Sequence, residues 1–122
     1  MTVERRIIAP RYNSVYLAGW EDVIVPLDLD YGRIAASPVC VNIPCLYWND
    51  GDTTVSLGPS GEVDPGRNPD FEGYLRTPDR SVRLFDANDP DIMHMSVAST
   101  RTRVRIWTNH PNEPDDIQIG LD

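Results

Sequence analysis

Apolar and polar residues alternate along much of this chain, and proline or glycine interrupts the alternation at short intervals. A period of two places successive side chains on opposite faces of a β-strand, whereas an amphipathic helix repeats its apolar residues every three or four positions. The eleven prolines and eight glycines also leave little room for helices. The alternation therefore predicts short strands, at residues 3–8, 12–18, 23–29, 39–47, 53–57, 72–76, 82–86, 92–97, 101–108 and 117–121.

The clearest alternation lies in the segment TRTRVRIWT. Thr102, Val104 and Ile106 are expected to face the core. The opposite, solvent-facing side then carries Arg101, Arg103, Arg105 and Trp107. The segment IQIGL at 117–121 repeats the pattern, and we expect it to pair with the arginine-bearing strand across the loop 109–116.

Two further segments are predicted from their turn residues. In WNDGDTTVSL, the residues Asn49, Asp50 and Gly51 suit the positive φ angles of a tight hairpin. Residues 58–73, GPSGEVDPGRNPDFEG, contain three prolines and four glycines and no apolar rhythm. This composition predicts a long surface loop.

Together these elements predict an all-β fold, an antiparallel β-sandwich of about eight strands joined by acidic loops rich in proline and glycine. A chain of 122 residues has the size of one domain and no linker divides it, so residues 1–122 are expected to form a single domain. The predicted core comprises Val15, Leu17, Val25, Val41, Ile43, Leu84, Val104, Ile106, Ile117 and Ile119.

The charge of the chain limits its partners. Eleven arginines and no lysine stand against nineteen acidic residues, which gives a net charge of −8. This balance disfavours nucleic acid and anionic lipid and favours a protein partner with a basic surface. The sequence has no apolar run that could span a membrane and no signal-peptide pattern, so we expect a cytoplasmic protein. Cys40 and Cys45 are accordingly expected to be reduced and buried.

The segment FDANDPDI, at residues 85–92, supplies candidate metal ligands, because Ca²⁺ binds several oxygen atoms at once. The candidate ligands are Asp86, Asn88, Asp89 and Asp91. The alternative is that Asp86 and Asn88 form turns before Pro90 with no bound cation. We favour turns, so no cofactor is predicted, and calcium is kept as the alternative.

The arginine strand and the tryptophans supply candidate binding residues. Alternate residues on a strand lie about 7 Å apart, close to the phosphate spacing of a nucleic-acid strand, but the net charge of −8 opposes such binding. Acidic residues on neighbouring strands are expected to pair with these arginines instead. Because an arginine-rich face also suits a protein interface, the candidate binding residues are Arg101, Arg103, Arg105, Trp107 and Trp48.

Candidate catalytic residues are few, since the chain has no nucleophile elbow, no phosphate-binding glycine loop and no zinc-protease motif. His110, followed by Glu113, Asp115 and Asp116, is the candidate for a hydrolase. The leading hypothesis is therefore a small acidic binding module without catalytic activity, an inhibitor or immunity-type partner of a basic protein surface. A Ca²⁺-dependent β-sandwich that binds lipid or carbohydrate is the alternative, and the hydrolase comes third.

Overall fold

The computed structural model describes residues 3–20, 24–26 and 33–122. These residues form ten strands, one short α-helix and one 3₁₀ turn. The strands are β1 (Glu4–Ile8), β2 (Ser14–Ala18), β3 (Ala35–Ala36), β4 (Cys40–Pro44), β5 (Thr53–Pro59), β6 (Phe71–Arg76), β7 (Ser81–Phe85), β8 (Met93–Ser96), β9 (Arg101–Thr108) and β10 (Asp116–Leu121). The helix α1 is Ser60–Val63, and the 3₁₀ turn is Trp48–Asp50.

The strands form two five-stranded sheets, which confirms the predicted all-β sandwich. Sheet A has the order β1-β5-β10-β9-β6, and sheet B has the order β3-β4-β2-β7-β8. All neighbouring strands are antiparallel except β5 and β10, which run parallel in the middle of sheet A. The predicted pairing of the arginine-bearing strand with IQIGL is also confirmed, because Ile119 lies opposite Ile106.

The core lies between the inward faces of the two sheets and contains the predicted residues with one exception. Val25 is only half-buried and belongs to segment 24–26, which has no strand structure. This segment lies against the outer face of sheet B, where the Asn42 side-chain amide donates to the Pro26 carbonyl at 2.9 Å. The rest of the predicted strand 23–29 lies outside the described residues.

The predicted hairpin at residues 49–51 is wrong. The turn Trp48–Asp50 follows β4 in sheet B and leads to β5 in sheet A, so it carries the chain from one sheet to the other. A tight hairpin joins adjacent strands of one sheet, and here the two strands are not adjacent. Strand β3 was not predicted, because its two alanines show no alternation.

The predicted surface loop 58–73 is partly structured. Strand β5 continues to Pro59, and α1 then folds back against the outer face of sheet A, with Ser60 and Val63 buried. The chain that follows α1 returns along the same face, where the Arg67 carbonyl accepts a hydrogen bond from the indole of Trp107 at 2.8 Å. Residues 60–70 therefore form a cover over the centre of sheet A, and we call them the cover segment.

Both cysteines are buried free thiols, as expected. Burial raises the pKa of Cys40 to about 11, and burial together with the nearby Asp86 carboxylate raises the pKa of Cys45 to about 12. Within the part of the chain that the structure describes, no helix is long and apolar enough to cross a membrane.

Candidate functional site

The aspartates of residues 86–91 are used by their own loop. One carboxylate oxygen of Asp86 accepts the backbone N–H groups of Asn88 at 2.8 Å and Asp89 at 2.7 Å. Asp89 in turn accepts the N–H of Asp91 at 3.0 Å, and Asp91 lies 3.2 Å from His94 Nδ1. Among the described residues, no group of three or more acidic, histidine or cysteine side chains is arranged to hold a metal ion. This geometry favours turns, and calcium binding stays an untested prediction.

Substitution of Asp86 distinguishes the two interpretations. Asp86→Ala removes both accepted hydrogen bonds and is expected to lower the free energy of unfolding by about 1 kcal/mol. Asp86→Asn keeps an oxygen in the same place and is expected to stay within about 0.5 kcal/mol of the wild type. Urea unfolding measures both values, and thermal melting with and without Ca²⁺ gives the Tm. A rise in Tm of several degrees with Ca²⁺ in the wild type, lost in Asp86→Asn, would instead show a cation site.

Two of the predicted binding arginines are paired within the molecule. Arg103 forms a short ion pair with Glu72 on the neighbouring strand β6, and its guanidinium lies 3.7 Å from Asp122. Arg105 lies 3.2 Å from Glu72 and 3.5 Å from Asp122. Two arginines and two carboxylates thus balance one another on the outer face of sheet A. This is the intramolecular pairing that the charge of the chain predicted.

The remaining members of the predicted arginine face lie in different surroundings. The Arg101 guanidinium is exposed and lies 4.0 Å from the ring centroid of Tyr74, as a cation–π pair. Trp107, predicted on the solvent-facing side as a binding residue, is only 1% exposed. It does point away from the sandwich core, but the cover segment lies over it. Trp107 is therefore not accessible to a partner, and the prediction of its exposure is wrong.

The side chain of His110 closes a turn. Its Nδ1 accepts the backbone N–H groups of Asn112 at 3.1 Å and Glu113 at 2.9 Å, so the proton of the neutral ring sits on Nε2. A general base needs a free ring nitrogen and a third group that orients the ring. Here the lone pair of Nδ1 is engaged by the backbone and Nε2 carries the proton, so neither nitrogen of the neutral ring is free to accept one. Asp115 does not orient the ring, because it accepts the side-chain amide of Asn109 at 2.6 Å. The hydrolase hypothesis gains no support from this arrangement.

A cleft of about 860 Å³ opens beside this turn, between the end of β4 and the start of β6. Its charged side chains include Arg67 and Asp70, which form an ion pair at 3.1 Å. Partial burial raises the pKa of Asp70, but the Thr108 backbone N–H and the Arg67 guanidinium outweigh it, so the pKa lies below its ordinary value. Arg67 and Asp70 both bind Thr108 and so attach the cover segment to the end of β9. Their role here is structural.

The two sheets bring four separate loops to one end of the sandwich. At this end Ser14 lies opposite Pro44 in sheet B, and Ile8 lies opposite Thr53 in sheet A. Backbone hydrogen bonds join the loops, from Cys45 N–H to the Asn13 carbonyl and from Leu46 N–H to the Pro114 carbonyl, each at 2.9 Å. We call this region the acidic end, and it consists of residues 9–13, 45–52, 86–92 and 109–116.

The acidic end carries nearly all of the net charge. By sequence it contains eight carboxylates and one arginine, a net −7, whereas the rest of the chain has eleven carboxylates and ten arginines, a net −1. All eight carboxylate residues are exposed except Asp86, which is half-buried. The eight are Asp50, Asp52, Asp86, Asp89, Asp91, Glu113, Asp115 and Asp116. Spacing along the chain did not predict this concentration, because it arises only when the loops meet.

Trp48, the remaining predicted binding residue, lies at the acidic end and is 41% exposed. Its neighbour Tyr47 is 39% exposed, and Tyr12 on the adjoining loop is 65% exposed. The two tyrosines were not among the predicted binding residues. Their signal was present in the aromatic pair YW directly before the acidic turn NDGD.

The fold and its loops define a small β-sandwich with one strongly acidic end. No protein-family model matches the sequence, and no curated protein matches it. Among solved structures, the chain is similar to ComJ from Bacillus subtilis, whose crystal structure is described as that of an inhibitor of the DNA-degrading activity of NucA. The likeness covers 99% of this chain and 98% of ComJ with a TM-score of 0.58, at 8% sequence identity. At this identity the likeness shows the fold alone.

Proposed function

We propose that this protein is a small non-enzymatic binding module whose acidic end covers a basic surface of another protein, as an inhibitor or immunity-type partner does. The observation that carries the proposal is the net charge of −7 in four adjoining loops. Such a field attracts a basic partner during diffusional encounter and repels like-charged surfaces. The paired arginines of sheet A do not neutralise these carboxylates, because their own partners are Glu72 and Asp122, outside the acidic end.

The likeness to ComJ supports the same class of function. A protein that degrades DNA must attract phosphate, so its substrate surface is basic. An acidic end of this kind would compete with phosphate for such a surface. A nuclease is therefore one kind of partner that the proposal includes, and NucA is a reasonable first protein to test.

Site-specific crosslinking in the native cell tests the proposal. A photoreactive phenylalanine derivative replaces Asp115 at the acidic end or, as a control, Arg80 at the opposite end; both residues are exposed. We expect the Asp115 position to capture a basic protein that the Arg80 position does not. Capture of acidic proteins alone, or equal capture from both positions, would contradict the proposal.

Neutralising charges then tests the contribution of the acidic end to affinity. The variant carrying Asp50→Asn, Asp52→Asn, Glu113→Gln and Asp115→Asn is expected to bind the captured protein at least about 100-fold more weakly, with a smaller salt dependence. A matched control carries Glu4→Gln, Glu62→Gln, Asp64→Asn and Asp79→Asn, which are exposed residues outside the acidic end. Titration calorimetry of both variants gives the comparison, and equal weakening would argue against a localised site.

A further inference from the structure

Three exposed aromatic residues lie within the acidic end, on two loops that touch each other. Tyr12, Tyr47 and Trp48 are 65%, 39% and 41% exposed, and the turn Trp48–Asp50 contains no buried residue. Single exposed aromatics are ordinary on protein surfaces. Tyr47 and Trp48, with Tyr12 on the adjoining loop, place an exposed aromatic surface in the most charged part of the molecule, and apolar surface among charged residues is typical of interaction sites. We call Tyr47 and Trp48 the patch.

The patch is held in place before any partner binds. The hydrogen bonds of Cys45 and Leu46 to neighbouring loops fix the chain that leads into it, and the Asp50 N–H donates to the Tyr47 carbonyl at 2.8 Å. The rings of Tyr47 and Trp48 lie 5.9 Å apart, and the Arg11 guanidinium lies 5.5 Å from the Trp48 ring. A side chain whose position is already fixed loses little conformational entropy on binding.

We propose that Trp48, supported by Arg11 and Tyr47, is the anchor of the interface, and that it enters an apolar pocket surrounded by arginine or lysine on a basic protein partner. The inference rests on the proposed function and names the residue at the centre of its interface. Tryptophan, tyrosine and arginine are the residues that most often dominate binding energy, and a polar rim around them excludes water. The polar neighbours of Trp48 here include Asp50, on the same 3₁₀ turn. A second copy of this chain does not fit, because two acidic ends repel each other.

The basic protein captured through Asp115, in purified form, is the probe for this inference. Trp48→Ala is expected to raise the Kd for this protein about 10- to 100-fold, mainly through faster dissociation. The slope of log Kd against the logarithm of the salt concentration is expected to stay unchanged. Trp20→Ala is the matched control, because Trp20 is a tryptophan of similar exposure, 42%, outside the acidic end, where its indole N–H donates to the Ser81 hydroxyl at 2.9 Å. It is expected to stay within about twofold of the wild type. A deca-lysine peptide, which offers charge without a pocket, should bind Trp48→Ala and wild type equally.

The outcomes separate this inference from the proposed function. If Trp48→Ala binds within about twofold of the wild type while the four-carboxylate variant loses binding, the anchor is overturned and the proposed function stands. If Trp20→Ala weakens binding as much as Trp48→Ala, the anchor is also overturned. If neither Trp48→Ala nor the four-carboxylate variant changes the Kd, both proposals fail. Concentration-dependent dimerisation of the wild type that Trp48→Ala abolishes would make a second copy the occupant, against the proposal.

Discussion

Replacing Trp107 with alanine is expected to lower the free energy of unfolding by about 3–5 kcal/mol, a large fraction of the stability of a small protein. Trp107 is 1% exposed, between the outer face of sheet A and the cover segment. Its loss leaves a cavity there and removes the hydrogen bond to the Arg67 carbonyl. Because this contact is one of those that hold the cover segment on sheet A, we expect the residues of the segment to lose protection from hydrogen exchange before the rest of the molecule.

Chemical denaturation of two further variants provides the comparison. Trp107→Phe keeps most of the apolar area but cannot donate to the Arg67 carbonyl. We therefore expect it to lower the free energy of unfolding by about 1 kcal/mol beyond the loss caused by the smaller ring. Trp48→Ala removes an equally large side chain from an exposed position and is expected to cost less than about 1 kcal/mol. Similar losses for Trp107→Ala and Trp48→Ala would contradict the assignment of one tryptophan to structure and the other to the surface.

Gly120→Ala is expected to destabilise the protein by about 1–3 kcal/mol, with a fall in Tm of about 3–10 °C. Gly120 lies on β10, on the face that α1 covers. A Cβ atom added there would lie 2.7 Å from Ser60 Oγ and 2.8 Å from Ser60 Cα. The Ser60 Cα is a backbone atom, so the clash cannot be relieved by a side-chain rotation, and α1 must move away from the sheet.

Gly61→Ala is the matched control in the same contact region. A Cβ atom at Gly61 would meet nothing within 4 Å, and alanine has a better helix propensity than glycine. We expect Gly61→Ala to be neutral or slightly stabilising in thermal melting. If Gly120→Ala melts like Gly61→Ala, α1 is not packed tightly on sheet A.

The period of two in the sequence was sufficient to predict the sandwich and the partners of its clearest strands. Strands β9 and β10 follow one another across a short loop, so their pairing needs no information beyond alternation. The parallel pairing of β5 with β10 was not predictable in this way, because the two strands are distant in sequence and no turn connects them. For the same reason a hairpin was wrongly predicted at Asn49, Asp50 and Gly51. Turn residues do not reveal that the flanking strands belong to different sheets.

The candidate site was only partly predictable. The pairing of Arg103 and Arg105 with carboxylates followed from the excess of acidic residues, and the turn role of Asp86 followed from local chemistry. Trp48 and Trp107 could not be separated by sequence, because the burial of Trp107 depends on a segment folded back from 60–70. The grouping of eight carboxylates at one end required the strand order itself.

The central position of β10 makes the completion of sheet A depend on a strand late in the chain. Strand β10 lies between β5 and β9, and these two strands form no hydrogen-bonded pair with each other. A ribosome must therefore deliver residue 121 before the sheet can close, and until then β5 is bonded along one side only, to β1. Closure across so much intervening chain is slow compared with the zipping of adjacent hairpins. During that interval β5 and β9 each present an unpaired edge to which another chain could bind and aggregate.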